Sequence, residues 1–381
     1  MSAVAGPDAD AAGPDLGCCE PCLRRGLLLG LLAPRIAAVL DARERRAGGL
    51  LALDDEAFVA AVAGHRREEA ERFLARFDAS GARDDLDARG VTAVCRHSRA
   101  YPTRLLQLSD PPAALFMKGQ IALVLPLLSR GPLVALVGSR RPTPYGTEMA
   151  RSLGRGLARA GIGVVSGLAL GIDAAAHIGC LEGEGAPVAV LGGGPDVAYP
   201  RTNRGLHARI GRDGLLLSEV PPGRRPYRWS FPARNRIMAG LAEVTVVVEA
   251  AERSGSLITS DFAADLGRVV AAVPGQATTT VARGSNALLR AGAAVITGPE
   301  DVVEELFGAG GGGPEAPAAK EANVDPVEAA VLEAVEAGLG VDGACLRASL
   351  PVSEVRAILS RLEDVGRVRR DPLGAYVRRA S

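Results

Sequence analysis

Glycine-rich loops that carry arginine or serine recur through the middle of the sequence, each directly after a short apolar run. The first loop reads Gly138-Ser139-Arg140-Arg141 and follows the run 133–137. A glycine after a buried strand lets the backbone turn sharply, and the free N–H groups of the helix that follows can then bind an anion. Two arginines add positive charge at the same place. The spacing therefore predicts an anion-binding site.

The charge of the chain is unevenly distributed, although the 44 basic and 44 acidic residues cancel. Residues 133–240 contain fourteen arginines, no lysine and seven acidic residues, a local excess of seven positive charges. Many of these arginines lie in loops after strands: Arg140, Arg141, Arg201, Arg204, Arg224, Arg225, Arg228, Arg234 and Arg236. Three aromatic residues accompany them, Tyr227, Trp229 and Phe231. An arginine-lined edge with aromatic rings suits single-stranded nucleic acid, whose phosphates need charge and whose bases can stack.

Seven short apolar runs alternate with helix-length segments and predict the scaffold of these loops. The runs are 133–137, 162–165, 188–191, 215–217, 244–248, 269–273 and 294–296. They are continuously apolar, which is typical of strands buried on both faces. The pattern predicts a Rossmann-like, doubly wound α/β fold with a parallel sheet, whose ligands bind at the carboxyl ends of the strands.

Composition divides the chain into five parts. Residues 1–22 are predicted to be a disordered tail, and residues 23–100 a small helical domain of the SAM or helix-hairpin-helix type. The sheet domain spans 101–308, and a Gly/Pro linker spans 309–322. Residues 323–381 read as three helices and a β-hairpin with its turn at 371–374, which is a winged helix in outline.

The same loops do not predict a dinucleotide site or a catalytic centre. The first loop lacks the GxGxxG spacing, and no acidic residue ends the second strand, where Val165 is followed by Ser166-Gly167. Asp173 is interpreted as an N-cap or first-turn acid of a helix, and His177 as a packed structural residue. We predict no catalytic residue and no cofactor.

Six cysteines in 381 residues do not form a disulfide framework, so the chain is predicted to be cytoplasmic. Cys18, Cys19 and Cys22 form a CxxC-type cluster, and a zinc site would need a second pair of ligands. The other cysteines are scattered: Cys95, Cys180 and Cys345. We therefore predict no metal site and interpret the cluster as unpaired thiols in a mobile segment. No stretch approaches the ~20 clean apolar residues of a membrane span, so no membrane contact is expected.

The strings that fill the loops resemble one family when taken together. They are VGSRRPTPYG, SGLALGIDAAAH, VLGGGPDVAYPRTN, LLLSEVPPG, FPARNRIMAGL, VVVEA, SGSLIT, AVPG and GSNALLRAGA, in this order. They resemble the DNA-processing protein A family, also called DprA or Smf, over roughly residues 101–307. The CCEPC segment and the glycine linker depart from the family pattern.

The resemblance implies a non-enzymatic DNA-binding protein of natural transformation. Members of this family are homodimers that bind incoming single-stranded DNA, protect it and help to load the RecA recombinase over single-strand-binding protein. Carried onto this chain, the loop arginine is Arg140, the second basic residue is Arg228 and the stacking ring is Phe231. The full set of predicted DNA contacts is Gly138, Ser139, Arg140, Gly167, Arg201, Asn203, Arg228, Phe231, Arg234, Asn235, Arg236, Ser254, Gly255 and Ser256. The resemblance also places a dimer interface at Leu288 and Leu289, which could equally be core residues.

Two other functions fit the predicted fold. A nucleotide phosphoribohydrolase would need a PGGxGTxxE loop, and neither Gly192-Gly193-Gly194-Pro195 nor Pro274-Gly275-Gln276 is followed by the Thr and Glu at the right spacing. A transcription regulator would read duplex DNA with the winged helix, but the third helix mixes Arg356 and Arg361 with acidic residues. Fold analogy alone does not confer either activity.

Overall fold

Each of the seven apolar runs forms a strand, with bounds that agree with the predicted ones to within one residue. Two further strands, which the sequence analysis did not predict, precede them. The strands of this sheet are β1 (Thr92–Cys95), β2 (Ala114–Gly119), β3 (Leu133–Val137), β4 (Gly163–Ser166), β5 (Val188–Leu191), β6 (Leu215–Ser218), β7 (Val244–Val247), β8 (Val269–Ala272) and β9 (Ala294–Val295).

The computed structural model describes residues 16–43, 48–308, 326–336, 339–364, 368–370 and 376–378. The chain forms two compact units, residues 1–316 and 317–381. Most of the predicted tail and the whole predicted linker, 309–322, lie outside the described residues. The last part of that tail is helical from Glu20 onward, so the prediction of disorder is wrong there.

The nine strands follow the order β1-β2-β6-β5-β4-β3-β7-β8-β9. From β3 at the centre, the chain runs outward through β4 and β5 to β6, then returns to the other side of β3 and continues through β7, β8 and β9. The seven predicted strands are all parallel, which confirms the doubly wound, Rossmann-like fold. β2 pairs antiparallel with β6, and β1 antiparallel with β2, so the sheet is mixed at this edge. The strand order reverses between β3 and β7, and ligands of such sheets bind at this switch point.

Helices cover both faces of the sheet. The helices of the first unit are α1 (Glu20–Arg43), α2 (Gly48–Leu51), α3 (Asp55–Val62), α4 (Arg67–Ala75), α5 (Ala79–Ala88), α6 (Ile121–Arg130), α7 (Pro144–Arg159), α8 (Ile172–Glu182), α9 (Arg204–Asp213), α10 (Ser230–Leu241), α11 (Leu257–Asp265), α12 (Arg283–Arg290) and α13 (Pro299–Phe307). Leu133 and Val137 face a core that includes α10, whereas Val134 and Leu136 face one formed with α7, α8 and α13. This alternation follows from the two-residue period of a strand and explains why β3 is apolar throughout.

The N-terminal helices belong to the same unit as the sheet. Their core contains Leu32 and Phe58, and it also takes in Trp229 and Ala233 from the region where α10 begins. β1 lies within the range 23–100 that was predicted to be a helical domain, yet it forms the edge of the sheet. The N-terminal helices are therefore packed directly against the loop between β6 and α10 and against the start of α10.

The second unit contains three helices followed by two short strands. They are α14 (Pro326–Glu336), α15 (Val341–Ala348), α16 (Val352–Asp364), β10 (Val368–Arg370) and β11 (Tyr376–Arg378). β10 and β11 are antiparallel, and Val335, Leu359 and Val368 share a core. The order agrees with the predicted one, but the turn at 371–374 lies outside the described residues, and the winged-helix assignment stays a prediction. In neither unit does a described helix have the length and apolar character needed to span a bilayer.

Candidate nucleic-acid interface

A cavity of about 700 Å³ opens at the switch point, between the loops that follow β3 and β7. Ten of the fourteen predicted contact residues line it, together with ten that were not predicted as contacts. The polar, charged and aromatic lining consists of Ser139, Arg140, Asp173, Tyr199, Arg228, Phe231, Arg234, Asn235, Arg253, Ser254, Ser256 and Thr259. The doubly wound topology therefore brings together loops that lie more than a hundred residues apart in the sequence.

The loop after β3 is held in place by Glu249, which follows β7. The Ser139 N–H donates to the Glu249 backbone oxygen at 2.6 Å, and the Thr143 hydroxyl donates to Glu249 Oε2, also at 2.6 Å. Thr143 in turn caps α7 by accepting from the Gly146 N–H. A Cβ at Gly138 would lie only 2.8 Å from the Glu249 oxygen, so a side chain does not fit. The loop is therefore rigid where it presents Arg140.

Arg140, Phe231 and Tyr199 form a continuous cationic and aromatic surface in the cavity. The guanidinium carbon of Arg140 lies 5.3 Å from the centre of the Phe231 ring, and the Phe231 and Tyr199 ring centres are 5.7 Å apart. Tyr199 is 49% exposed. Sequence reasoning did not select Tyr199 as a contact, although it stands in the loop after the third predicted strand beside arginines.

The charges of Arg140 and Arg228 are available to a ligand. Both residues are exposed, and neither forms a salt bridge with a described carboxylate. Arg253 is exposed in the same cavity and was not predicted. Arginines without an internal partner beside a cavity can pair with phosphate oxygens, which they bind with charge-assisted hydrogen bonds.

The floor of the cavity carries two buried charged residues, Arg234 and Asp173. Arg234 Nη1 donates to the Val190 oxygen at 2.6 Å, and burial lowers the pKa of Arg234 to about 10. Burial raises the pKa of Asp173, although Arg234 and the N–H groups of Gly167 and Ala169 oppose this shift. Asp173 therefore shapes the loop after β4 from the first turn of α8, one of the two roles predicted for it.

Gly167 and Asn235 help to maintain the shape of the cavity. A Cβ at Gly167 would overlap the guanidinium of Arg234, so glycine is required for Arg234 to occupy the floor. Asn235 is buried, and its amide donates to the Gly255 oxygen at 3.2 Å. This bond anchors the loop that carries Ser254 and Ser256, whose hydroxyls are 2.7 Å apart.

Arg236 was predicted to contact DNA, and the structure contradicts this. The residue is 2% exposed, and its guanidinium lies between Asp110 and Glu219. Nε donates to Asp110 Oδ2 at 2.9 Å, and Nη2 donates to both carboxylate oxygens of Glu219 at 2.9 and 3.0 Å. Burial opposes the charge, but the two carboxylates outweigh it and raise the pKa of Arg236. Arg236 holds α10 to the loops before β2 and after β6.

Other predicted contacts also lie away from the cavity. Asn203 donates to the backbone oxygens of Leu168 and Ala169, so its amide links two loops and is not free for a ligand. Arg201 is exposed outside the lining. Trp229, interpreted as a possible stacking ring, is buried among the N-terminal helices, where Nε1 donates to the Ala33 oxygen at 3.0 Å. Tyr227 packs against the same core.

His177 and the two predicted interface leucines are packed against the core. His177 is completely buried on α8, and burial lowers its pKa to about 3. It is a neutral packed residue, as the sequence indicated. Leu288 and Leu289 on α12 are both half-buried and pack against the sheet core, so the interface stays a prediction.

The fold and the site define a Rossmann-like α/β protein with an arginine-bearing, partly aromatic cavity at its switch point. Residues 92–307 match the family model of the DNA recombination-mediator protein A. The chain is 42% identical to the DNA processing protein DprA of Bacillus subtilis over 217 residues, which cover 57% of this chain and 72% of that protein. The chain therefore belongs to the DNA recombination-mediator protein A family, as the sequence motifs indicated.

Two solved structures of similar proteins share this fold. DNA processing protein A from Streptococcus pneumoniae superposes with a TM-score of 0.60 at 31% identity, over 76% of this chain and 99% of that chain. DNA processing protein A from Helicobacter pylori, described for its single-stranded DNA binding mode, superposes with a TM-score of 0.51 at 29% identity, over 57% of this chain and 95% of that chain.

Proposed function

We propose that this chain binds single-stranded DNA in the cavity at the switch point and protects incoming strands during natural transformation. The observation that carries the proposal is the arrangement of Arg140 and Arg228, neither engaged in a salt bridge with a described residue, around the partly exposed ring of Phe231. The single-stranded DNA binding described for the Helicobacter pylori relative supports the same function.

Two kinds of interaction contribute to this binding: the arginines bind phosphates and the aromatic rings stack on bases. Arg140, in the loop after β3 that Glu249 holds in place, binds one phosphate. Arg228 binds a neighbouring phosphate. Phe231 stacks on a base, and Tyr199 extends this surface toward the next base. Stacking on aromatic rings is independent of base identity, so the site accepts any sequence whose bases are unpaired.

The chain acts by binding and not by catalysis in this proposal. The Asp173 carboxylate accepts hydrogen bonds from two backbone N–H groups. His177 is completely buried, in its neutral form. Neither group is placed to act as a general acid or base toward a ligand. Release of free base or ribose phosphate from nucleoside monophosphates would instead support the phosphoribohydrolase alternative.

The proposal includes the partners and setting that family membership suggests. We propose that a second copy of the chain, RecA recombinase and single-strand-binding protein act with it in the cytoplasm, and that it helps to load RecA onto the bound strand. Leu288 and Leu289 stay the proposed dimer contact, because each keeps part of its side chain exposed on α12.

Fluorescence anisotropy with labelled oligo-dT and with duplex DNA of equal length tests the proposed function. We expect the full chain to bind oligo-dT more tightly, because stacking on Phe231 requires unpaired bases. Adding RecA to the oligo-dT complex then tests for assisted loading. Tighter binding to the duplex would contradict the proposal and favour a transcription regulator that reads duplex DNA.

Removal of residues 317–381 is expected to leave the affinity for oligo-dT within about tenfold, a loss below ~1.4 kcal/mol. The reason is that all residues lining the cavity belong to the first unit. Anisotropy titrations of the full and shortened chains at one salt concentration measure this difference. A loss of several orders of magnitude would place the main DNA site in the second unit.

A further inference from the structure

Four potential metal ligands converge at the edge of the sheet, far from the cavity at the switch point in the sequence and in the fold. They are Cys19, Cys22, Cys95 and His97, and their Sγ and ring nitrogen atoms all lie within 4.8 Å of one another. The spacing of the cysteines predicted no metal site, because Cys95 is distant in the sequence from the CxxC pair. In the fold, Cys95 and His97 supply the second pair of ligands.

The distances between these atoms fit a tetrahedral ion. Cys19 Sγ lies 3.8 Å from Cys95 Sγ, and His97 Nδ1 lies 3.3 Å from Cys19 Sγ and 3.4 Å from Cys22 Sγ. Zinc bonds of about 2.3 Å to sulfur and about 2.0–2.1 Å to nitrogen, at tetrahedral angles, separate two sulfurs by about 3.8 Å and a sulfur from a nitrogen by about 3.6 Å. Each of these three distances lies within about 0.3 Å of the spacing in a zinc coordination shell, and the remaining pairs lie within 4.8 Å.

The surroundings suit a structural ion. Cys22 is 3% exposed and Cys95 is 1% exposed, and both belong to a small apolar core with Leu23 and Phe116. Four protein ligands leave no open position for a water or a substrate, which is the mark of a structural rather than a catalytic zinc site. Three thiolates with one imidazole also form a ligand set that zinc commonly takes.

We propose that Cys19, Cys22, Cys95 and His97 bind one zinc ion that fastens the start of α1 to β1 at the edge of the sheet. Cys19 directly precedes α1 and Cys22 lies in its first turn, whereas Cys95 ends β1 and His97 follows it. The ion joins segments more than seventy residues apart in the chain. It thereby fixes the N-terminal helices, whose core contains Trp229, against the sheet domain.

Metal analysis of the full chain tests this site. The protein is produced without a metal-affinity tag in medium that contains zinc, purified under reducing conditions and measured by inductively coupled plasma mass spectrometry. We expect one zinc per chain, and we expect Cys19→Ser and Cys95→Ser to lose it almost completely. Cys18→Ser is the matched control, because Cys18 is adjacent to the cluster but is not one of the four ligands, and Cys345→Ser is a distant control. Both controls should keep one zinc.

A second measurement on the wild-type chain does not depend on whether the variants fold. Cobalt added to metal-free protein should give the visible bands of a tetrahedral ion and a near-ultraviolet thiolate charge-transfer band, and zinc should displace both. Absence of zinc and of the cobalt bands, with a Cys19–Cys95 disulfide in non-reducing peptide mapping, would overturn the proposal. So would zinc that stays bound in Cys95→Ser, or that is lost equally from Cys18→Ser.

Discussion

Replacing Arg236 with methionine is expected to lower the free energy of unfolding by about 3–5 kcal/mol, the usual result of removing one partner from a buried ion pair. The substitution leaves the carboxylates of Asp110 and Glu219 facing each other in a buried site without their shared cation. Trp229 is the only tryptophan of the chain and is buried in the first unit, so its fluorescence during urea denaturation reports this loss directly.

Arg201→Met is the matched control for this prediction. It removes the same charge from an exposed position that lies outside the cavity lining, and should change the stability by no more than about 0.5 kcal/mol. The role assigned to Arg236 would be wrong if Arg236→Met kept the wild-type stability but lost affinity for oligo-dT. That outcome would restore Arg236 as the DNA contact that the sequence suggested.

Acidification is expected to destabilise the chain through His177, and His177→Leu should remove this contribution. The pKa of the folded state, about 3, lies well below the ordinary value of 6.5, so the unfolded chain binds a proton that the folded chain does not. The stabilising effect of the neutral ring is therefore complete above about pH 6.5 and is lost as the pH falls toward 3. One such proton changes the unfolding free energy by about 1.4 kcal/mol per pH unit.

Urea titrations at pH 7, 5.5 and 4, followed by Trp229 fluorescence, measure this dependence. As the pH falls, the free energy of unfolding of His177→Leu should rise relative to that of wild type, since leucine cannot take up a proton. At pH 7 the free energies of unfolding of the variant and of wild type should differ by no more than about 1.5 kcal/mol, because the histidine and leucine side chains have nearly equal volumes. His65→Leu, at an exposed position, should follow the wild-type curve. Parallel curves for His177→Leu and wild type would show that His177 does not titrate as its burial requires.

The parallel part of the sheet could be predicted from the sequence because burial on both faces leaves a signal in every strand. Runs such as 133–137 and 188–191 are apolar at each position, and they alternate with helix-length segments. β1 was missed because it lies at the edge of the sheet, and β2 was missed although residues 114–117 are apolar and buried between β1 and β6. β1 contains only Thr92-Ala93-Val94-Cys95, which has neither the length nor the periodicity to stand out.

The cavity could be predicted in part, because the loops that follow parallel strands all lie at the same edge of the sheet. What the sequence did not show is which arginines face the cavity. Arg234 and Arg236 are two residues apart on α10, yet Arg234 forms the cavity floor and Arg236 is paired behind it with Asp110. Asp110 lies more than a hundred residues away in the sequence. Long-range pairs such as this, and the approach of Cys95 to Cys19, depend on the tertiary fold and leave no local pattern.

The salt dependence of oligo-dT affinity tests the proposed interface most directly. Each phosphate neutralised on a single strand contributes about −0.7 to the slope of log affinity against log salt concentration. Arg140→Ala and Arg228→Ala should each weaken binding and flatten this slope by about 0.7, because each removes one phosphate contact. Phe231→Ala should weaken binding by roughly 1–3 kcal/mol at an unchanged slope, because it removes stacking alone. If the two arginine variants fold normally and keep the wild-type affinity and slope, single-stranded DNA does not bind in this cavity.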